Sequence, residues 1–192
     1  MRTRLGGIEG NEILTSATAV VLTLLLLGEG ITIVDMGGLR SAHMFIGLVL
    51  IPPLLLKLGS TGYRFARYYA GARTYREKGP PALPLRLMAP VLVATTIGVF
   101  VTGVLLLLAG HKSNQLVFIH KVFFFVWAAV FAVHFLAYLP RVVRSLRDDW
   151  TASRREQTPG SGLRGTLLAA TAGGGAALAI ALLPTVNAWH GG

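Results

Sequence analysis

Two histidines, His120 and His134, lie fourteen residues apart in the apolar run 118–140, FIHKVFFFVWAAVFAVHFLAYLP. At 100° and 1.5 Å per residue, that spacing returns to within about 40° of the same helix face, roughly 21 Å further along the axis. The run is long enough to cross a bilayer. Ionisable groups inside a membrane are costly and default to a functional role. Three more histidines complete the set: His43, His111 and His190. Neutral imidazole is a metal ligand, a proton carrier and a hydrogen-bonding group.

The chain around them reads as a membrane scaffold. Of its 192 residues, 53% are hydrophobic and 14% are charged, against about a quarter charged in a soluble domain. It has no cysteine, which excludes disulfides, zinc thiolate sites, iron–sulfur clusters, thiol catalysis and a thioether-linked haem. No Ser-His-Asp, metalloprotease or paired-carboxylate site can be assembled. The fold class expected is all-α: an integral membrane bundle of five transmembrane helices in one domain. The spans are expected at 13–34, 42–61, 87–109, 116–139 and 163–183. Each is near the 20 residues that a hydrocarbon layer about 30 Å thick requires, and helices satisfy their own backbone there. Pro52-Pro53 is expected to kink the second span. The first span follows Arg2 and Arg4 with no clear cleavage site, and is read as retained.

Orientation follows from charge. The net charge is +10, and all but three of the 18 Lys and Arg fall on one side. That side holds Arg2, Arg4 and Lys57, and two loops, 62–86 and 140–162. The other has Arg40, Lys112 and Lys121. The positive-inside rule puts the loops and N-terminus in the cytoplasm and the C-terminus outside, in the plasma membrane of a prokaryote. The basic charge is therefore assigned to lipid headgroups and topology, not to nucleic acid. The tyrosine- and arginine-rich stretch 61–86 is expected to anchor at the interface and could extend the second helix past the membrane, with docking of a cytoplasmic partner as the alternative. In the fifth span, Ala169, Gly173, Ala177 and Ala181 form a small-residue row suited to packing on the bundle or on a second copy.

The second and fourth spans run in the same direction. His43 and His120 then lie at similar depth, near the outer side. Two neutral imidazoles facing one another across a bundle form a bis-histidine haem site. Gly47, one turn below His43, would clear a flat macrocycle, and Gly98 and Gly103 of the third span could do the same. Arg40, Lys112 and Lys121 would pair with the propionates. The plainer alternative makes His43 and His120 interfacial groups at helix ends. Glu29 and Asp35 are expected to pair with Arg40 or, as the second choice, to take protons from a quinol. The aromatic row Phe123, Phe124, Phe125, Trp127 and Phe131 is assigned to core and lipid contact. His111 and His190 are assigned to solvated segments.

On His43, Gly47, His120 and His134 the chain resembles the membrane cytochromes b, a group that includes cytochrome b561-like proteins and the cytochrome b subunits of respiratory oxidoreductases. The resemblance covers the second to fourth spans and rests on spacing. It implies a four-helix haem-binding core, with iron held by histidines of different helices. One departure matters: fourteen residues after His43 stands Lys57, where a second haem would want histidine. Three readings of His134 stand. It is a structural polar group beside a single haem; it ligates a second haem with Lys57 as partner; or it forms a quinone or proton site with Lys57. Lys57 can also simply snorkel to the headgroups.

The functional expectation is a b-type haem protein. It would carry electrons between a quinone pool or membrane partner and a redox partner at the outer face, as a subunit more than a stand-alone enzyme. The alternative is a cofactor-free accessory or assembly subunit of a larger membrane complex. A small transporter is weaker still, because paired broken helices are missing.

Overall fold

The computed structural model of the chain describes residues 7–77, 79, 82–110, 113–149 and 160–190. His111, Lys112, Arg2, Arg4, Lys78, Arg154 and Arg155 lie outside the described residues. So do the side chains of Arg141, Arg144, Arg147 and His190.

The protein is all-helical, and five of its helices are long and apolar enough to span a membrane. They are α1 (Gly7–Val34), α2 (Arg40–Tyr69), α4 (Leu83–Ala109), α5 (Asn114–Asp149) and α6 (Ser161–Ala181). The short helices α3 (Arg73–Glu77) and α7 (Leu183–Asn187) lie between α2 and α4 and after α6, and a 3₁₀ turn, Ala188–His190, follows α7. It is an integral membrane protein in contact with lipid. Large apolar side chains such as Leu24, Ile31, Leu55, Phe118, Phe125 and Leu136 are exposed on the bundle surface, where hydrocarbon would cover them.

Most helices outrun the spans expected from hydropathy. α1 begins at Gly7 and not near residue 13, and α2 continues as helix to Tyr69, past the expected end at 61. α5 continues through Pro140 to Asp149, so the first part of the expected 140–162 loop is helical. Polar residues fill these extensions. Hydropathy measures what lipid tolerates, while the helix persists for as long as backbone bonding continues. α2 is continuous through Pro52 and Pro53, with Pro53 buried. α6 stops at Ala181, two residues before the expected end, and Pro184 stands in the first turn of α7.

The bundle is built from two helical hairpins. α1 packs along α2 and α4 packs along α5, whereas the hairpins meet less extensively, α2 on α4 and α1 on α5. α2 and α5 therefore stand on a diagonal. Tight turns make each hairpin. Asp35 Oδ1 accepts the Gly38 N–H at 3.0 Å, and Asp35 O accepts from Leu39 N at 2.8 Å. This side-chain turn brings the first turn of α2 beside the last turns of α1. In the other hairpin Gly110 ends α4 at φ 67°, a conformation that glycine adopts without strain. Ser113 Oγ then caps α5 by accepting from Leu116 N at 3.2 Å.

α6 packs on the outside of α2. Gly175 faces the Val49 backbone so closely that a side-chain carbon there would collide with the Val49 carbonyl. Ala179 is fully buried on the same face. The expected row Ala169, Gly173, Ala177 and Ala181 is exposed, so it is a different small-residue face that docks on the bundle. Leu48, Leu107, Ala179 and Val186 form the densest apolar cluster, where α2, α4, α6 and α7 converge. Trp189 closes it by donating its indole N–H to Leu107 O at 3.3 Å.

At the end holding Arg64, Arg67, Arg73, Arg76 and Arg86, here the basic end, aromatic and basic groups interleave. Tyr63 meets Tyr75 edge-on, Arg67 lies 5.9 Å from the Tyr75 ring, and Arg86 binds the Tyr69 hydroxyl. Glu12 pairs with Arg64 at 3.5 Å and links α1 to α2.

Candidate functional site

His43 and His120 occupy matching positions in the two hairpins. Each lies in the early turns of a hairpin's second helix, near the end opposite the basic one. Each is held by a threonine of that hairpin's first helix. The His43 Nδ1 stands 3.1 Å from Thr32 Oγ1 and 3.0 Å from Glu29 Oε1. The His120 Nδ1 stands 2.8 Å from Thr102 Oγ1. Glu29 and Thr32 are three apart on α1 and so share a face.

The threonines constrain the tautomers. Thr32 donates its hydroxyl hydrogen to Glu29 O at 2.6 Å, and Thr102 donates to Gly98 O at 2.6 Å. A carbonyl only accepts, so neither hydroxyl has a hydrogen left to give to imidazole. His120 therefore donates its Nδ1–H to Thr102, whereas the His43 Nδ1 has the Glu29 carboxyl as a second partner beside Thr32. The side-chain hydrogen bonds described for both rings are made at Nδ1. His43 and His120 are also close enough to interact electrostatically across the α2–α5 diagonal. Two half-buried imidazoles anchored at Nδ1 can serve as metal ligands through Nε2, with the partner of the second ring nitrogen already in place. No group of three or more metal-ligating side chains occurs among the described residues. The pair can thus supply two protein ligands to an ion whose other positions are filled by something else. A haem fits that requirement, because its macrocycle provides the equatorial donors.

Gly103 of α4 gives the His120 ring its room. A methyl there would stand 3.3 Å from His120 Cε1, and one at Gly98 would run into the Phe123 ring. Gly47 faces α1, where a methyl would stand 3.5 Å from Glu29 Oε1. Among the expected propionate partners, Arg40 opens α2 one turn before His43, and Lys121 is exposed beside His120. The expected Glu29–Arg40 pair does not form. Glu29 Oε1 meets His43, and Asp35 is spent on the hairpin turn.

The residues towards the basic end are arranged differently. His134 stacks on Tyr138 at 4.6 Å, and its buried Nδ1 has no hydrogen-bond partner. Lys57 donates from Nζ to Thr15 O of α1 at 2.8 Å, although it lies within electrostatic reach of His134. Around it, Thr15 donates to Asn11 O at 2.7 Å, Asn11 donates to Ser60 O at 3.2 Å, and Ser60 donates to Lys57 O at 3.0 Å. This polar seam ties α1 to α2. His43 and His120 thus share an anchoring pattern that His134 lacks. Sequence reasoning missed Thr32 and Thr102, because threonines bonding their own helix are common and mark no chemistry by spacing. Glu29 was noticed as a charge in an apolar span but given the wrong partner.

No family model, curated protein or solved structure matches the chain.

Proposed function

We propose that the protein is a b-type haem electron carrier of the membrane, with the haem held between His43 and His120. The observation that carries this reading is the pair of threonine-anchored imidazoles at matching positions on α2 and α5, close enough to interact and with their side-chain hydrogen bonds made at Nδ1. Bound haem supplies one-electron chemistry, tuned by its axial ligands and their hydrogen bonds. The chain's own residues set the ligand orientation: Thr32 and Glu29 for His43, Thr102 and the space at Gly103 for His120. Arg40, one turn before His43, and Lys121, next to His120, would be the basic groups nearest the propionates. One site near one end does not carry electrons across the whole bilayer. The protein then works as a subunit between a quinone pool or membrane partner and a redox partner at the face opposite the basic end. The charge bias favours a cytoplasmic basic end and N-terminus, in a prokaryotic plasma membrane.

The test is haem content per chain together with a reduced-minus-oxidised optical spectrum of purified protein. A b-type difference band that disappears in His43→Ala and in His120→Ala is expected. Colourless protein, or variants with unchanged haem, would overturn the reading. The second reading, a cofactor-free accessory subunit or a homo-oligomer, draws on the exposed row Ala169, Gly173 and Ala177 on α6. Colourless protein that copurifies stoichiometrically with a complex would favour it.

A further inference from the structure

The arginines of the basic end divide by what they meet. Arg64 pairs with Glu12 at 3.5 Å, and Arg73 with Glu77 at 2.9 Å. Arg67, Arg76 and Arg86 are exposed and meet no carboxylate among the described residues. Arg67 and Arg86 lie against tyrosine instead. Arg67 Cζ is 5.9 Å from the centre of the Tyr75 ring. Arg86, in the first turn of α4, is 5.5 Å from the centre of the Tyr69 ring and donates from Nη2 to the Tyr69 hydroxyl. An aromatic face attracts a cation but has no net charge to balance it. A guanidinium has several N–H donors in a rigid fork, and the Tyr69 hydroxyl occupies one of them. The Arg86 fork is thus held in place, with donors and charge left for an acceptor from outside the chain.

The Arg86–Tyr69 bond joins the end of α2 to the start of α4, and large apolar side chains surround it. Phe65, one turn before Tyr69, packs on the Tyr69 ring with centres 4.5 Å apart and is 64% exposed. On α4, Leu83 stands one turn before Arg86 and Leu87 follows it, 64% and 67% exposed. Tyrosine and arginine at the end of membrane spans stand at the level of the headgroups. A ligand suited to this corner brings negative charge, accepts from the guanidinium fork and covers hydrocarbon. A phospholipid does all three, because its phosphate matches the arginine fork and its acyl chains cover phenylalanine and leucine. A soluble phosphate would leave the apolar groups bare. A zwitterionic lipid carries its own cation beside the phosphate, so a headgroup with net negative charge fits better.

We propose that the corner between α2 and α4 at the basic end binds one anionic phospholipid, its phosphate held by Arg86 beside Tyr69 and its acyl chain laid against Phe65, Leu83 and Leu87. This is a discrete site with a fixed stoichiometry, beyond the general pull of basic loops on anionic headgroups. It does not depend on haem.

The experiment measures binding of tritiated phosphatidylglycerol and of tritiated phosphatidylcholine to the purified full chain in detergent, against micelles alone. One saturable phosphatidylglycerol site per chain is expected, about tenfold tighter than phosphatidylcholine and insensitive to added inorganic phosphate. Arg86→Gln should reduce phosphatidylglycerol to the affinity of phosphatidylcholine. Arg73→Gln removes the same charge from an exposed position on α3 and should change affinity by less than about twofold. Phe65→Ala should weaken both lipids. The proposal is overturned if the two lipids bind equally, if the preference survives Arg86→Gln, or if Arg73→Gln abolishes it as fully, which would make the effect a diffuse field. It is overturned as well if inorganic phosphate displaces the lipid, or if Phe65→Ala leaves both affinities unchanged.

Discussion

Thr102 stands 2.8 Å from the Nδ1 of His120 and has already given its own hydrogen to the carbonyl of Gly98. The bond can run in one direction only, from imidazole to hydroxyl. His43 differs, because its Nδ1 also meets Glu29 Oε1 at 3.0 Å. Valine copies the shape of threonine without the acceptor. Thr102→Val should therefore lower haem affinity by about 10–100-fold, the usual effect of losing the partner of a metal-ligating histidine, and Thr32→Val should cost less, since Glu29 still holds the His43 ring. Thr102→Ser, which keeps the oxygen, should retain haem. Haem retained per chain after dilution reads both outcomes.

Gly103 makes a steric prediction at the same ring. In Gly103→Ala the new methyl would press on His120 at 3.3 Å from Cε1. A changed ligand-field spectrum with little loss of folded protein is expected. Gly47→Ala, at 3.5 Å from Glu29 Oε1, is an ordinary contact and should change the spectrum less.

His134 should behave unlike the other two. Its Nδ1 is buried without a partner, so the imidazole costs stability where it stands. With one haem per chain, His134→Phe keeps the stack on Tyr138 and should leave haem content unchanged. The melting temperature in detergent should stay level or rise. Loss of half the haem in this variant would instead assign His134 to a second site.

The contact between α6 and α2 gives a prediction away from the site. Gly175→Ala forces a side-chain carbon into the Val49 carbonyl, and overpacking of this kind costs about 1–3 kcal/mol. A lower melting temperature is expected. Gly173→Ala, on the exposed face, should be neutral in the monomer. If Gly173→Ala alone weakens a purified assembly, that face is where a second copy or partner packs.

Much of the architecture was legible in the sequence. Apolar runs long enough for a bilayer leave few alternatives to helices, and that constraint located all five. The helix ends were partly legible: the extension of α2 past its apolar span, to Tyr69, matches the expectation for the Tyr- and Arg-rich stretch, whereas Arg141–Asp149 is too polar to register as a span yet continues α5. His43 and His120 stand out in the sequence because histidine is rare and costly in lipid. Thr32 and Thr102 do not, because their role depends on which hydroxyl lands beside which ring across a hairpin turn. Helical periodicity holds no information about neighbours on another helix. The small-residue row of α6 shows the same limit: the spacing was real, but the bundle is met by Gly175 and Ala179.

The two hairpins also bear on how the molecule is made. α1 with α2, and α4 with α5, are the most extensively packed helix pairs, each formed within one consecutive stretch of chain, and α6 packs on α2 almost as extensively. Each can enter the bilayer and close on itself during synthesis, before its counterpart is present. Each also carries one imidazole with a threonine beside it, so each half arrives with that ring already anchored. What is left for the end of biogenesis is the meeting of the two hairpins and the docking of α6 on α2, and the proposed haem would enter at that late step without either hairpin unfolding.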